Sequence, residues 1–172
     1  MKNACIHIYT GHGKGKTTAA IGLCYRCANR GFRVGITSFL KDFTSGEFLG
    51  KPPFTIFYGK PMEGFWINAT EQTQAEAKAE AIERLNDIFK TAKDEGYDLI
   101  TLDEVLDAIT VGMINEHDLI KLLKEKPPQL EVVLTGRDPS NELCKLSDYI
   151  SEIMPVKHPY SRGLPARVGI EY

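Results

Sequence analysis

The chain has 172 residues, 42% of them hydrophobic, 26% charged and 9% aromatic, and 21 basic against 23 acidic side chains leave a formal charge of -2. That is the profile of one globular domain spanning residues 1–172, with no room for a second catalytic domain of ordinary size. The near-balanced charge argues against a general nucleic-acid coat or a membrane-surface binder, which need surplus Lys and Arg.

Residues 1–7 lack the apolar stretch of a signal peptide, and no apolar run is long enough to cross a bilayer, so a soluble, cytoplasmic protein is expected. Ala4 to Tyr9 is a short strand rich in β-branched and aromatic residues, followed by a glycine-rich turn and a helix from Lys16 to about Asn29. Cys24 and Cys27 have C-x-x-C form, but the helical periodicity around them makes them small apolar residues of that helix. Gly31 closes the helix, and Arg33 to Leu40 reads as a buried second strand, completing a βαβ unit. Two irregular segments, Lys41 to Pro53 and Gly59 to Asn68, flank a short third strand at Phe54 to Tyr58 and are candidate substrate-binding surface.

Thr70 to Lys93 is the clearest helix, with Ala77, Ala81, Leu85, Ile88 and Phe89 at helical spacing. A strand at Tyr97 to Leu102, helices at Glu104 to Met113 and Asp118 to Lys124, a strand at Leu130 to Leu134, a helix at Ser140 to Leu146 and a final core strand at Tyr149 to Met154 follow. Alternation of this kind predicts an α/β fold: a mostly parallel sheet with helices on both faces and ligands at the carboxyl ends of its strands.

The strongest chemical signal is Thr10-Gly11-His12-Gly13-Lys14-Gly15-Lys16-Thr17-Thr18, set between strand and helix. Glycines let successive backbone N–H groups approach phosphate oxygens, the helix N-terminus adds a favourable dipole, Lys16 supplies a cation and Thr17 a hydroxyl for Mg2+. The usual G-x-x-x-x-G-K-[ST] loop has glycine where this chain has Thr10, so the loop is a variant. The matching acidic element is Asp103-Glu104 at the end of a strand, where one carboxylate suits Mg2+ and Asp103 suits the helix N-cap. His7 reads as a satisfied core residue, and His12 as an extra loop donor or a solvent-facing filler. Phe65 and the only tryptophan, Trp66, stand in an irregular segment, either packing a loop down or lining an apolar site.

These blocks together resemble the P-loop ATP:corrinoid adenosyltransferases: Gly11 to Gly22 (G-H-G-K-G-K-T-T-A-A-I-G), Phe39 to Lys41 (F-L-K), Leu102 to Glu104 (L-D-E), Leu134 to Arg137 (L-T-G-R) and the ending from Ser151 to Tyr172. The resemblance covers nearly the whole chain and implies a P-loop NTPase-like (RecA-like) fold that transfers the 5'-deoxyadenosyl group of ATP to the cobalt of a reduced corrinoid, leaving triphosphate. It implies that Gly11, His12, Gly13, Lys14, Gly15, Lys16, Thr17 and Thr18 cradle the triphosphate and that Thr17 and Glu104 hold Mg2+. Lys16, Thr17 and Glu104 then carry the catalysis, with Arg26 as a further nucleotide contact and Phe65 and Trp66 facing the corrin ring. The family separates its two aromatics by one residue, whereas Phe65 and Trp66 are adjacent here, and it commonly carries an N-terminal extension before a first strand that this chain reaches almost at once. A homodimer and a flavodoxin-type electron donor are further implications. Two readings stay open beside it: a P-loop kinase or NTPase using Arg137 or Arg162 as an arginine finger, and a catalytically silent regulator that binds nucleotide or corrinoid.

Overall fold

The computed structural model of the chain describes residues 3–41, 43–60 and 66–172. Six strands, β1 (Ile6–Thr10), β2 (Val34–Ser38), β3 (Thr55–Ile56), β4 (Leu99–Asp103), β5 (Glu131–Thr135) and β6 (Tyr149–Glu152), form one sheet in the order β3-β2-β4-β5-β1-β6. Every neighbouring pair is parallel. Five helices connect them: α1 (Lys16–Ala28), α2 (Glu71–Asp94), α3 (Val105–Thr110), α4 (Glu116–Glu125) and α5 (Asn141–Leu146).

Strand alternation sorts the core into two layers. Ile6 and Ile8 of β1, Ile100 and Leu102 of β4, and Val132 and Leu134 of β5 point to one face, where Leu85, Ile88 and Phe89 of α2 and Leu119 and Leu123 of α4 cover them. Val34, Ile36, Leu99 and Val133 point to the other, where α1 packs through Ala20, Cys24 and Cys27. Both cysteines are buried and unbridged, and burial pushes the Cys24 thiol up to about 11, which suits an apolar role and makes the thiolate scarce.

The helix ends follow local chemistry. Thr70 caps α2 by accepting from Thr73 N, Asn115 caps α4 by accepting from His117 N, and Ser140 caps α5 by accepting from Leu143 N. Two expectations are corrected. Tyr149 to Met154 is not a core strand: β6 is four residues long, lies at the sheet edge, and all four are exposed. Asp103 is not a helix cap: it is the last residue of β4, while Glu104 occupies the cap position of α3 with φ 58° and makes no side-chain capping bond. His7 is nearly buried beside β6, its Nε2 2.5 Å from Glu131 Oε1 and its ring stacked on Tyr149, so it is a satisfied structural residue as expected.

Candidate active site

β1 ends in Thr10, which is 8% exposed and still in register with Glu152 of β6. This explains the missing first glycine: position 10 belongs to the strand, and the tight turn begins one residue later at Gly11, with φ 105°. The loop is then pinned to the end of β6, since Ile153 N donates to Thr10 O at 2.8 Å and Gly13 N donates to Ile153 O at 2.7 Å. A Cβ on Gly13 would lie 2.6 Å from Ile153 O and 2.9 Å from Ile153 Cγ2. Gly13→Ala must therefore push the loop off its anchor. We expect a loss of about 1–3 kcal/mol in stability, of the kind overpacking produces, together with weaker ATP binding, checked by thermal melts and calorimetric titration.

Gly15, with φ 119°, leads into α1 and turns the first helical N–H groups toward the loop. Lys16 curls back over the loop, its Nζ donating to Gly11 O at 2.7 Å and Gly13 O at 3.1 Å. Burial, then Arg137, lowers its pKa against the pull of three carboxylates. The loop thus holds its cation against its own carbonyls.

Facing the loop is the end of β4. Asp103 is fully buried and accepts from four side chains: Thr17 Oγ1 at 2.8 Å, Thr135 Oγ1 at 2.7 Å, Ser38 Oγ at 3.3 Å and Lys41 Nζ at 3.0 Å. The sheet order creates this arrangement, because β4 lies between β2 and β5, and Ser38 is in register with Asp103. Glu104 follows on the turn, with Lys41 Nζ 4.0 Å from its Oε1. Burial pushes its carboxyl up to about 7; Lys41 opposes that, and Asp103 and Asp107 add to it. In an unfolded chain this group would titrate near 4.5, so between about 4.5 and 7 the folded protein holds an extra proton. Its contribution to stability therefore declines as pH rises through that window. Glu104→Gln in chelator-treated protein should flatten the decline in melting temperature from pH 4.5 to 7.5; parallel profiles for the two proteins would contradict this.

Gly13, Lys16, Thr17, Lys41, Glu104 and Thr135 line a cavity of about 530 Å3, a size that suits a nucleotide. Its walls are the loop from His12 to Thr18, then Leu40, Lys41 and Glu47 after β2, then Glu104 and Asp107 after β4, with Thr135 at the end of β5 and Arg137 just after it. The last wall is the C-terminal segment Gly169 to Tyr172, with His158. That segment is folded on itself: Arg167 donates to Glu171 from its backbone N at 2.9 Å and from Nε at 3.1 Å, and Gly169 N donates to Tyr172 O at 2.7 Å.

The structure brings His12, Gly13, Lys14, Gly15, Lys16, Thr17, Thr18 and Glu104 to this cavity, with Gly11 bonded to Lys16 at its edge. His12 is exposed, like Lys14 and Thr18, with its Nε2 3.6 Å from Asp138. Arg26 is not brought there: it is exposed in the last turn of α1, ten residues on, roughly 15 Å along the helix axis. Trp66 stands outside the cavity lining, in a one-turn 3-10 helix (Trp66–Asn68) packed against the core, with Lys78 Nζ 5.9 Å from its ring centroid. Phe65 lies outside the described residues. Ser38, Lys41, Glu47, Asp107 and Thr135 had no role assigned from sequence. Only the F-L-K and L-T-G-R blocks hinted at Lys41 and Thr135, by ending strands at the sheet's ligand edge.

A glycine loop at the end of one parallel strand, facing a buried aspartate at the end of another, with β5 inserted between them, defines an α/β nucleotide-binding protein of the P-loop NTPase-like class. Residues 2–172 match the family model for ATP:corrinoid adenosyltransferase BtuR/CobO/CobP, and the chain belongs to that enzyme family. It is 31% identical over 169 residues to the corrinoid adenosyltransferase of Escherichia coli strain K12, covering 97% of this chain and 85% of that one. It is 30% identical over 168 residues to the corrinoid adenosyltransferase CobA of Salmonella typhimurium, with 97% and 85% covered, and 30% identical over 168 residues to that of Pseudomonas aeruginosa, with 96% and 82% covered.

Proposed function

We propose that this chain carries out the reaction for which its family is named, moving the 5'-deoxyadenosyl group of ATP to the Co(I) of a corrinoid in adenosylcobalamin biosynthesis or salvage. The observation that carries the reading is that the two most distinctive blocks of the family resemblance, the loop at 11–18 and the ending at 169–172, line the same cavity although some 150 residues separate them.

In the transfer the cobalt donates an electron pair to the ribose 5'-carbon, a Co–C bond forms, the C5'–O bond breaks, and its pair leaves on triphosphate; cobalt passes formally from I to III. The nucleophile is supplied by the substrate, so the protein's work is positioning and stabilisation of charge on the leaving group. In this reading the loop amides beyond Gly13, whose own N–H stays on Ile153 O, and the Lys16 ammonium receive that charge. The oxygens of Thr17, Asp103, Glu104 and Glu47 are the hard donors that Mg2+ prefers. Mg2+ commonly keeps several waters and shares its remaining positions between one or two carboxylates and substrate phosphates. Bound there by Thr17 and Glu104, Mg2+ would neutralise triphosphate charge.

Phe65 and Trp66 are assigned to the corrin face, where a water-poor aromatic wall favours cobalt without axial ligands and eases its reduction. Trp66→Ala should keep its rate with chemically prepared Co(I) and lose about tenfold or more, about 1.4 kcal/mol in barrier, when Co(II) corrinoid and a reductant are supplied. Full retention with Co(II) would remove Trp66 from that role. No helix among the described residues is long and apolar enough to cross a membrane. A cytoplasmic homodimer served by a flavodoxin-type donor, with no nucleic-acid partner, completes the reading.

The direct test is anaerobic incubation with Mg-ATP and reduced corrinoid, following the corrinoid spectrum and the phosphate products together. Adenosylcorrinoid with equimolar triphosphate is the expected result. ADP and orthophosphate formed without regard to corrinoid would show a kinase or NTPase instead, and tight ATP binding with no product a regulator.

A further inference from the structure

Lys41 is a cavity-lining cation that the reaction scheme above does not use. It stands three residues beyond β2, on the cavity wall, with its side chain 22% exposed. Its Nζ lies 3.0 Å from Asp103 Oδ2, 3.2 Å from Thr17 Oγ1, 3.4 Å from Glu47 Oε1 and 4.0 Å from Glu104 Oε1. Burial opposes its charge, but Asp103 and Glu104 outweigh that and hold the ammonium firmly protonated. The oxygens it gathers include Thr17 and Glu104, the pair best placed to bind Mg2+.

We propose that Lys41 is an exchangeable internal counter-ion: its ammonium holds the oxygens that a divalent cation must take, and when metal and nucleotide enter together it moves onto the triphosphate. The inference rests on the reading of this cavity as a Mg-ATP site.

Two cations calling on the same oxygens repel, so metal binding requires the ammonium to leave. Lysine is suited to such a move, because its charge sits on a flexible four-carbon stem with three rotatable donors. Its destination is set by what else the cavity offers. Asp107 is already paired with Arg137 at 3.0 Å, and Glu47, 3.4 Å away, is a single carboxylate beside a triphosphate that carries several negative charges. The triphosphate is thus the stronger anionic partner for a displaced Lys41. Metal and triphosphate then bind cooperatively, each making the other's site available. Asp103 does not collapse when Lys41 leaves, since Thr17, Ser38 and Thr135 still donate to it.

Lys41→Met removes the charge and keeps the stem, while Lys41→Arg keeps a charge. With Mn2+ as the probe and no nucleotide present, Lys41→Met should bind the ion at least tenfold more tightly than the wild type, whereas Lys41→Arg stays near wild type. The factor by which Mn2+ tightens ATP binding should fall at least tenfold in Lys41→Met. Mn2+ affinity that is unchanged or weaker in Lys41→Met, or undetectable in both proteins, overturns the proposal. If Lys41→Met does not fold, Glu47→Gln, which removes one of the anchors of the ammonium, should still weaken the coupling between Mn2+ and ATP, and an unaltered coupling overturns the proposal. Adenosyl transfer by the wild type is measured alongside. Unchanged Mn2+ binding with an active wild type refutes the counter-ion alone, and tighter Mn2+ binding with a wild type that makes no adenosylcorrinoid refutes only the transferase reading.

Discussion

Lys16→Ala is expected to slow adenosyl transfer by about 100- to 1000-fold at saturating ATP, the loss typical of removing one preorganised donor from a developing anion. The geometry carries the size of the effect. Lys16 is held on Gly11 O and Gly13 O, so its ammonium is already placed in the loop and need not be ordered at the moment of reaction. Its partners are loop carbonyls at a partly exposed position, so stability should change little, by about 0.5–1.5 kcal/mol for each hydrogen bond lost. The fall should appear in kcat more than in ATP affinity, because backbone amides still bind the ground-state triphosphate while the charge that grows on bond cleavage loses its cation. Lys16→Arg should recover little, since a planar fork cannot reproduce a point charge directed at two carbonyls. Triphosphate release measured beside calorimetric ATP titration separates the two parameters. A Lys16→Ala enzyme within tenfold of wild type would mean that the loop amides alone stabilise the leaving group.

The phosphate loop was legible because its glycines and Lys16 are consecutive, and the chemistry of such a loop is local. The buried strands were equally legible: β2, β4 and β5 carry apolar runs and are buried on both faces, as a sheet covered on two sides requires. β6 misleads because Tyr149 and Ile150 look like core strand, and edge position is a property of strand order that no stretch of four residues contains. Of the two acids at 103–104, the resemblance gave Glu104 to the metal, but Asp103 was misread as a helix cap. Placing Asp103 needs the register that sets Ser38 against it and the turn that leaves Glu104 in the cap position. Lys41 is hidden for the same reason, as a lone lysine after a strand acquires meaning only when β2 and β4 lie side by side. Arg26 was reached only through the family resemblance, and α1 carries it to its last turn, outside the cavity lining.

Asp103→Ala should be the most damaging single change at the site, and Asp103→Asn distinguishes why. Alanine leaves the hydroxyls of Thr17, Ser38 and Thr135 and the Lys41 ammonium without their common acceptor, at a position with no access to water. Removing one partner of a buried charged pair costs about 3–5 kcal/mol, and in a domain of this length each kcal/mol lowers Tm by about 2–4 °C. A drop of about 10 °C or more is therefore expected. Asparagine keeps the volume and one acceptor, but it turns one oxygen that received Lys41 and Ser38 into a donor. Its cost should be smaller, about 1.5–3 kcal/mol for a lost charge-assisted bond, yet the function lost should be nearly as great. Thr17 would no longer be oriented by a full negative charge, and Lys41 would be drawn toward Glu104 and Glu47. Melting curves with and without Mn-ATP test both parts. The wild type should gain stability from the ligand by mass action, whereas Asp103→Asn should melt only somewhat below the wild type and gain almost nothing. An Asp103→Asn protein stabilised by Mn-ATP as strongly as the wild type would show that the carboxylate's charge serves the fold alone, leaving Thr17 and Glu104 to hold the metal unaided.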